Sequence, residues 1–275
     1  MSFAIIGNGF VGKATQILAE NNPNLKMIIY DIDPQKCQPL GTKLEDLKEC
    51  DIIFICVPTP MDSSGRCDTS LVDEVVSWVN TPITIIKSTV EVGTTASLSK
   101  LHGKKLVFSP EYCGESSYWS PYLWDREVKE TPFFIFGGDS ESTSKCVDFY
   151  LPVAGPVKKY IQTSSCSAEM AKYMENSFYA TKIAFCYEMA EICHSAGIDY
   201  NTVRELWLHD PRINPMHTAV FERNDSPFGG KCLPKDLSAL HNFAKNKLGY
   251  EPKLLGEVLN SNKRIGTIRE KRRDK

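Results

Sequence analysis

The first thirty residues dictate the architecture. Residues 2–6 form a short apolar run that ends in Gly7-Asn8-Gly9-Phe10-Val11-Gly12, and helix-compatible sequence follows from Lys13 to Glu20. A second apolar run, Met27-Ile28-Ile29-Tyr30, ends at Asp31, which stands 19 residues beyond Gly12. Strand, glycine turn, helix, strand and acid in this order form the dinucleotide-binding unit of a parallel sheet. The glycine pattern alone is weak, but the whole unit at this spacing is specific. Gly7 permits the tight turn, Gly9 lets a pyrophosphate approach the backbone, and Gly12 allows helix to pack closely on strand. Phe10 and Val11 complete the turn, and the helix N-terminus faces the phosphates. Asp31 is placed to accept hydrogen bonds from the adenosine ribose, and its charge repels a 2′-phosphate. The expected cofactor is therefore NAD rather than NADP.

Further apolar runs follow at 51–57, 83–87, 105–108 and 133–136. Their intervals suit helices or short crossovers, which predicts a Rossmann-like, doubly wound parallel α/β sheet over residues 1–163. Three runs end in polar residues, Thr59, Thr89 and Glu111. Each alone reads equally as a turn former or helix cap. Three at successive strand ends beside a cofactor unit predict a lined crevice, because ligands of open α/β sheets bind beyond the carboxyl ends of the strands. From about Cys166 the pattern changes to long helical periodicity, which predicts an all-helical domain over 164–264. Lys172 and Asn176 stand four apart on its first helix, a spacing that also suits a solvated surface pair. Residues 263–275 carry seven Lys/Arg and two Asp/Glu against a net charge of −2 for the whole chain. Residues 265–275 are read as a solvated basic tail.

Near the end of the helical region stands Phe228-Gly229-Gly230-Lys231-Cys232-Leu233-Pro234-Lys235-Asp236. A helix starting near Pro234 would point its positive end at Cys232 and favour the thiolate, the reactive form of the thiol. The same stretch also fits a loop-to-helix turn carrying a buried cysteine. The ten cysteines show no CxxC pair and no metal-like clustering, and are expected to be reduced thiols of a cytoplasmic protein. Nothing in the charge points to nucleic acid. No apolar run approaches the ~20 residues that span a bilayer. The N-terminus enters a strand directly and is expected to be structure rather than a signal peptide.

These pieces together resemble the UDP-glucose/GDP-mannose dehydrogenase family, the nucleotide-sugar dehydrogenases. The matching motifs are Gly7–Gly12, Asp31 with Lys36, Val57-Pro58-Thr59-Pro60, Asp68-Thr69-Ser70, Ser88-Thr89-Val90, Ser109-Pro110-Glu111, Glu169 with Lys172 and Asn176, Asp210-Pro211-Arg212-Ile213, and Phe228–Asp236. The resemblance implies oxidation of a sugar CH₂OH to a carboxylate with two NAD, UDP-glucose being the expected substrate. Cys232 is then the nucleophile that forms a thiohemiacetal and a thioester. Lys172 and Asn176 steady the oxygen that gains charge, Asp236 holds a water, and Glu111 with Thr89 activates the hydrolytic water. Lys36, Thr59, Thr89, Glu115 and Lys235 join the cofactor set. Glu111, Glu115, Lys172, Asn176, Arg212, Phe221, Phe228 and Gly229 form the substrate set. The family arginine matching Arg212 acts from a neighbouring subunit, so a homodimer built on the helical domain is implied.

Three departures from the family pattern stand out. The chain stops at Lys275, about where the linker to a further nucleotide-gripping domain starts in the family. Pro227 replaces a common glycine, and Cys113-Gly114 replaces bulkier residues. Two other readings fit parts of the chain: a simple hydroxyacid dehydrogenase, which gives Cys232 no role, and a family member without turnover that serves as a partner or regulatory subunit.

Overall fold

Alternation along the first strand shows how the N-terminal region is built. In Ser2–Ile6 (β1), Phe3 and Ile5 join one apolar cluster while Ala4 and Ile6 join another. Both faces of the strand are therefore covered, since successive side chains point to opposite faces. The computed structural model describes residues 1–20, 24–114, 130–221 and 226–273. It divides into two units. The first takes Met1–Pro60 and the described residues from Cys67 to Lys172, and the second takes Met61–Arg66 and the described residues from Tyr173 onward.

The first unit is a seven-stranded sheet. Its strands are β1, Lys26–Tyr30 (β2), Ile52–Ile55 (β3), Ile83–Ile86 (β4), Leu106–Phe108 (β5), Phe133–Gly137 (β6) and Lys159–Thr163 (β7), in the order β2-β1-β3-β4-β5-β6-β7. Helices Phe10–Glu20 (α1), Ser70–Trp78 (α2), Thr94–His102 (α3) and Ser140–Ala154 (α4) alternate with them. Every residue of β3, β4 and β5 is buried, which is why these strands read as near-continuous apolar runs, with Thr84 the one polar residue in them. Phe3, Phe54, Phe149 and Tyr150 pack edge to face on one side. Val72, Val76, Ile86 and Leu98 fill the other.

The expected doubly wound parallel sheet is present, with one antiparallel pairing toward its edge. Strands β1 to β5 run parallel, but β6 meets β5 antiparallel, pairing Phe108 with Gly137. Strand β7 then runs parallel to β6 after the crossover helix α4. No apolar run announced β7, because an edge strand has one neighbour and Lys159, Ile161 and Gln162 remain exposed.

The second unit is helical. It takes Ser165–Ser195 (α5) from Tyr173 onward, Tyr200–Trp207 (α6), Leu233–Asn242 (α7) with a π-helical turn at Phe243–Lys247, and Lys253–Arg273 (α8). Ala180, Ala184, Phe228, Leu237 and Val258 form its core cluster. The unit division falls inside α5, beyond the boundary expected at 163/164. The first turns of α5 carry buried Glu169, whose carboxylate accepts the Gly93 and Thr95 N–H groups at 2.6 and 2.9 Å and caps α3. The basic tail is also corrected. Residues 265–273 continue α8, and the basic residues of this helix meet acids on α5: Arg264 pairs with Glu188 at 2.9 Å and Arg272 with Glu191 at 2.6 Å. Among the described residues, no helix is long and apolar enough to cross a membrane, and no cluster of His, Cys, Asp and Glu could hold a metal.

Candidate active site

At the glycine turn, Gly7 has φ +95°, and a Cβ there would lie 2.7 Å from the Cys56 carbonyl oxygen. A Cβ on Gly12 would lie 2.0 Å from the Gly7 carbonyl oxygen, so neither position admits a side chain. A Cβ on Gly9 would meet nothing within 4 Å. The open glycine lies between the two crowded ones, where a pyrophosphate would approach, and the residues fit a dinucleotide. Phe10 is exposed and Val11 half-buried at the start of α1. Asp31 follows β2; one carboxylate oxygen accepts the Asn8 N–H at 2.7 Å and the other accepts the Asp33 N–H at 2.9 Å. The acid that would read the ribose thus also ties down the turn that would cradle the phosphates. Asn8, missed in the sequence, is buried; its amide donates to the Lys36 carbonyl at 2.8 Å and accepts from Gln16 at 2.6 Å. The Lys36 ammonium is exposed and pairs with Asp33 at 3.5 Å.

Two of the three strand-end residues meet. The Thr59 hydroxyl donates to the Thr89 carbonyl at 2.7 Å, and the Cys67 thiol donates to the same oxygen at 3.3 Å. Glu111 is buried. One of its oxygens accepts the Tyr112 and Cys113 N–H groups at 2.8 and 2.9 Å, and the other faces the Lys87 ammonium at 3.4 Å. Burial alone would raise the Glu111 carboxyl, but Lys87 and these N–H groups outweigh it and hold it below the usual carboxylate range. Burial likewise opposes the charge on Lys87, and the Tyr150, Glu111 and Cys56 side chains around it together hold it above the usual lysine range. Lys87 was not singled out in the sequence. The signal was present: a lysine directly at the end of a buried strand has to find an anion. Lys172 lies over the Tyr112 ring, 4.8 Å from its centroid. Glu115 falls outside the described residues.

In the second unit, Asp236 is buried; its two oxygens meet the Asn176 amide at 2.5 Å and the Lys235 ammonium at 2.6 Å. Cys232 stands at the N-cap of α7 and is exposed, not buried. Its carbonyl accepts the Asp236 N–H at 2.9 Å, the first turn of the helix. Pro234 sits in that first turn, where a missing N–H costs nothing. The positive end of the helix therefore lies on the side of the thiol. Phe228 is buried and Gly229 exposed. Arg212 projects into solvent and is held by Asp210 at 2.6 Å, while the Phe221 side chain is half exposed. The second unit thus joins Asn176, Asp236 and Lys235, with Cys232 at the start of the same helix, and the first gathers Glu111 with Lys87, Thr59 with Thr89, and Asp31 with the glycine turn.

This fold and cradle define a dinucleotide-binding protein with a helical partner unit. Family comparison supplies the rest. The UDP-glucose/GDP-mannose dehydrogenase family matches in two pieces, its NAD binding domain over residues 41–124 and its central domain over 166–264. The chain is 32% identical to a UDP-glucose 6-dehydrogenase of Rickettsia typhi, covering 96% of this chain and 67% of that protein. It is also 32% identical to one of Rickettsia bellii, covering 80% and 50%. The chain thus spans from half to two thirds of the length of these relatives. The solved UDP-glucose dehydrogenase of Pyrobaculum islandicum shares the fold at a TM-score of 0.76, 24% identity, and coverage of 95% of this chain and 68% of that one. The chain belongs to the UDP-glucose/GDP-mannose dehydrogenase family, and its cofactor is NAD.

Proposed function

We propose that the chain oxidises the CH₂OH of a nucleotide sugar, UDP-glucose foremost, to the carboxylate. The observation that carries the reading is an exposed thiol at the N-terminus of α7, on the same helix as a buried carboxylate, in a chain of this family. NAD, when bound, accepts hydride, and two equivalents balance the reaction: RCH₂OH, two NAD⁺ and water give RCOO⁻, two NADH and three protons. Cys232 adds as thiolate to the intermediate aldehyde carbon and forms the thiohemiacetal C–S bond. Loss of hydride from that carbon leaves a thioester, and water breaks the C–S bond, returning the thiolate. Lys172 and Asn176 donate hydrogen bonds to the oxygen that gains charge. Asp236 holds Asn176 and Lys235 in place. Glu111, kept ionised by Lys87, orients the hydrolytic water rather than acting as a strong base, since a depressed pKa weakens a base.

A simple hydroxyacid dehydrogenase would leave Cys232 without a task, and a non-catalytic subunit would leave the whole cluster without one. NADH formation by the purified chain with UDP-glucose, GDP-mannose and a simple 3-hydroxy acid separates these readings. Turnover is expected with the nucleotide sugar. Turnover of the hydroxy acid alone, or of none, rejects the reading.

NAD is expected to bind far more tightly than NADP, and Asp31→Ala to weaken NAD by about tenfold or more, the scale of one charge-assisted hydrogen bond. Calorimetric titration checks both; equal affinities for the two cofactors would remove Asp31 from the ribose site. A homodimer is also proposed. Met174, Phe178, Phe185 and Ile192 on α5 are 70%, 62%, 52% and 55% exposed. At 100° per residue they fall within about 40° of one another. A second copy covering this stripe removes it from water. Analytical ultracentrifugation should give a dimer mass, and Phe185→Asp a monomer; a parent mass that stays monomeric at every concentration contradicts the proposal. Ten cysteines with none in a disulfide suit the reducing cytoplasm.

A further inference from the structure

We propose that Arg269, Tyr187 and Asn262 are positioning residues for the nucleotide sugar, acting through the backbones of Phe221 and Phe228. The proposal rests on the family reading above, which puts both residues in the substrate set. Arg269 is a buried charge on α8, 7% exposed. Its Nε lies 3.2 Å from Glu191 of α5, which it shares with Arg272, and its Nη1 donates to the Phe221 carbonyl at 2.8 Å. The guanidinium lies over the ring of buried Tyr187, 4.6 Å from the centroid. The Tyr187 hydroxyl in turn accepts the Phe221 N–H at 3.2 Å. Both polar backbone groups of Phe221 are therefore engaged, while its side chain stays half exposed.

The same device recurs at Phe228. Its N–H donates to the Asn262 side-chain oxygen at 2.9 Å, and the Asn262 amide donates back to the Phe228 carbonyl at 3.0 Å. One asparagine thus satisfies the whole peptide unit around a residue whose ring is anchored in the core cluster. Helix α8 holds both Phe221 and Phe228, and Arg269 lies beyond the stretch 166–264 that the family's central domain matches.

An arginine suits this place and a lysine does not. Only the planar fork can face a carboxylate and a carbonyl at once while stacking on an aromatic ring. The consequence is preorganisation: conformational freedom at Phe221 and Phe228 is lost on folding and need not be lost on binding. Such holding strengthens ground state and transition state alike, so its loss raises KM and leaves kcat near the parent value.

The test is calorimetric titration of UDP-glucose, and separately of NAD, into the parent, Tyr187→Phe and Arg269→Lys, with steady-state kinetics on each. Tyr187→Phe keeps the ring beneath Arg269 and removes only the hydroxyl, so it is the variant expected to keep the fold. It should weaken UDP-glucose about three- to tenfold, the scale of one neutral hydrogen bond, and Arg269→Lys by about tenfold or more. NAD affinity should not change, and KM should rise while kcat holds. Parent-like UDP-glucose binding in both variants overturns the proposal and leaves the functional reading standing. An equal loss of NAD affinity also overturns it, since that marks general loosening. A parent chain that binds no UDP-glucose overturns the functional reading and the proposal together.

Discussion

Replacing Cys232 with serine is expected to slow the complete oxidation of UDP-glucose by about a thousandfold or more, the scale of losing a covalent nucleophile. Serine is close in size, so the fold should survive. Its hydroxyl stays protonated near neutral pH, whereas a thiol of ordinary pKa near ~8.5 already has some thiolate there, and a helix N-terminus adds more. An oxygen ester also hydrolyses more slowly than a thioester. Any adduct that forms should therefore persist and add mass to the intact protein. Cys67→Ser is the matched control. The Cys67 thiol is buried and donates to the Thr89 carbonyl, a bond that a hydroxyl reproduces. Its effect on turnover should be far smaller. A Cys232→Ser chain with parent turnover would return Cys232 to the role of an ordinary thiol at a turn.

Removing Lys87 should give the largest loss of stability. Lys87→Met leaves the Glu111 carboxylate buried without its cation, and breaking a buried pair from one side costs about 3–5 kcal/mol. Urea unfolding at pH 7 should show this, and Lys87→Met with Glu111→Gln should recover much of it, because the remaining group is neutral and still hydrogen-bonded. The pH dependence carries a sign. In the parent, Glu111 has a depressed folded pKa. Its contribution is present above the unfolded value near ~4.3 and is lost as pH falls through the folded one. In the variant, burial raises the carboxyl, so the folded state binds the proton more tightly and stability falls as pH rises from about 4.3 toward the raised folded value. The gap between parent and variant should thus widen from pH 4 to pH 7. Cys56 and Tyr150 also face Lys87, but burial pushes the Cys56 thiol up to about 12 and the Tyr150 phenol up as well, so both stay neutral here. A gap that is small at pH 7 or flat with pH would mean that Lys87 does not carry the Glu111 charge.

Features repeated along the chain were legible before the structure, and features made by distant partners were not. The turn Gly7–Gly12 with Asp31 could be read because local sterics and local spacing specify it. The parallel strands could be read because burial on both faces leaves near-continuous apolar runs. Strand β7 hid because an edge needs few apolar residues, and the reversal at β6 hid because direction is set by pairing, which no single strand encodes. Cys232 was legible as a thiol before a helix, but its exposure was not, since solvent access depends on the whole second unit. The basic run after Lys263 reads as a solvated tail until Glu188 and Glu191, more than seventy residues earlier, are found beside it. Lys87 and Asn262 belong to the same class. Each is an ordinary polar residue by sequence, and each gains its meaning from one partner far along the chain.

The central claim is a four-electron oxidation through Cys232, and the most direct measurement is the NADH formed per UDP-glucose consumed by the purified chain. The account predicts two NADH per sugar, with UDP-glucuronate as product and no free aldehyde released. One NADH per sugar with aldehyde accumulating, or consumption of UDP-glucose with no NADH, would contradict it.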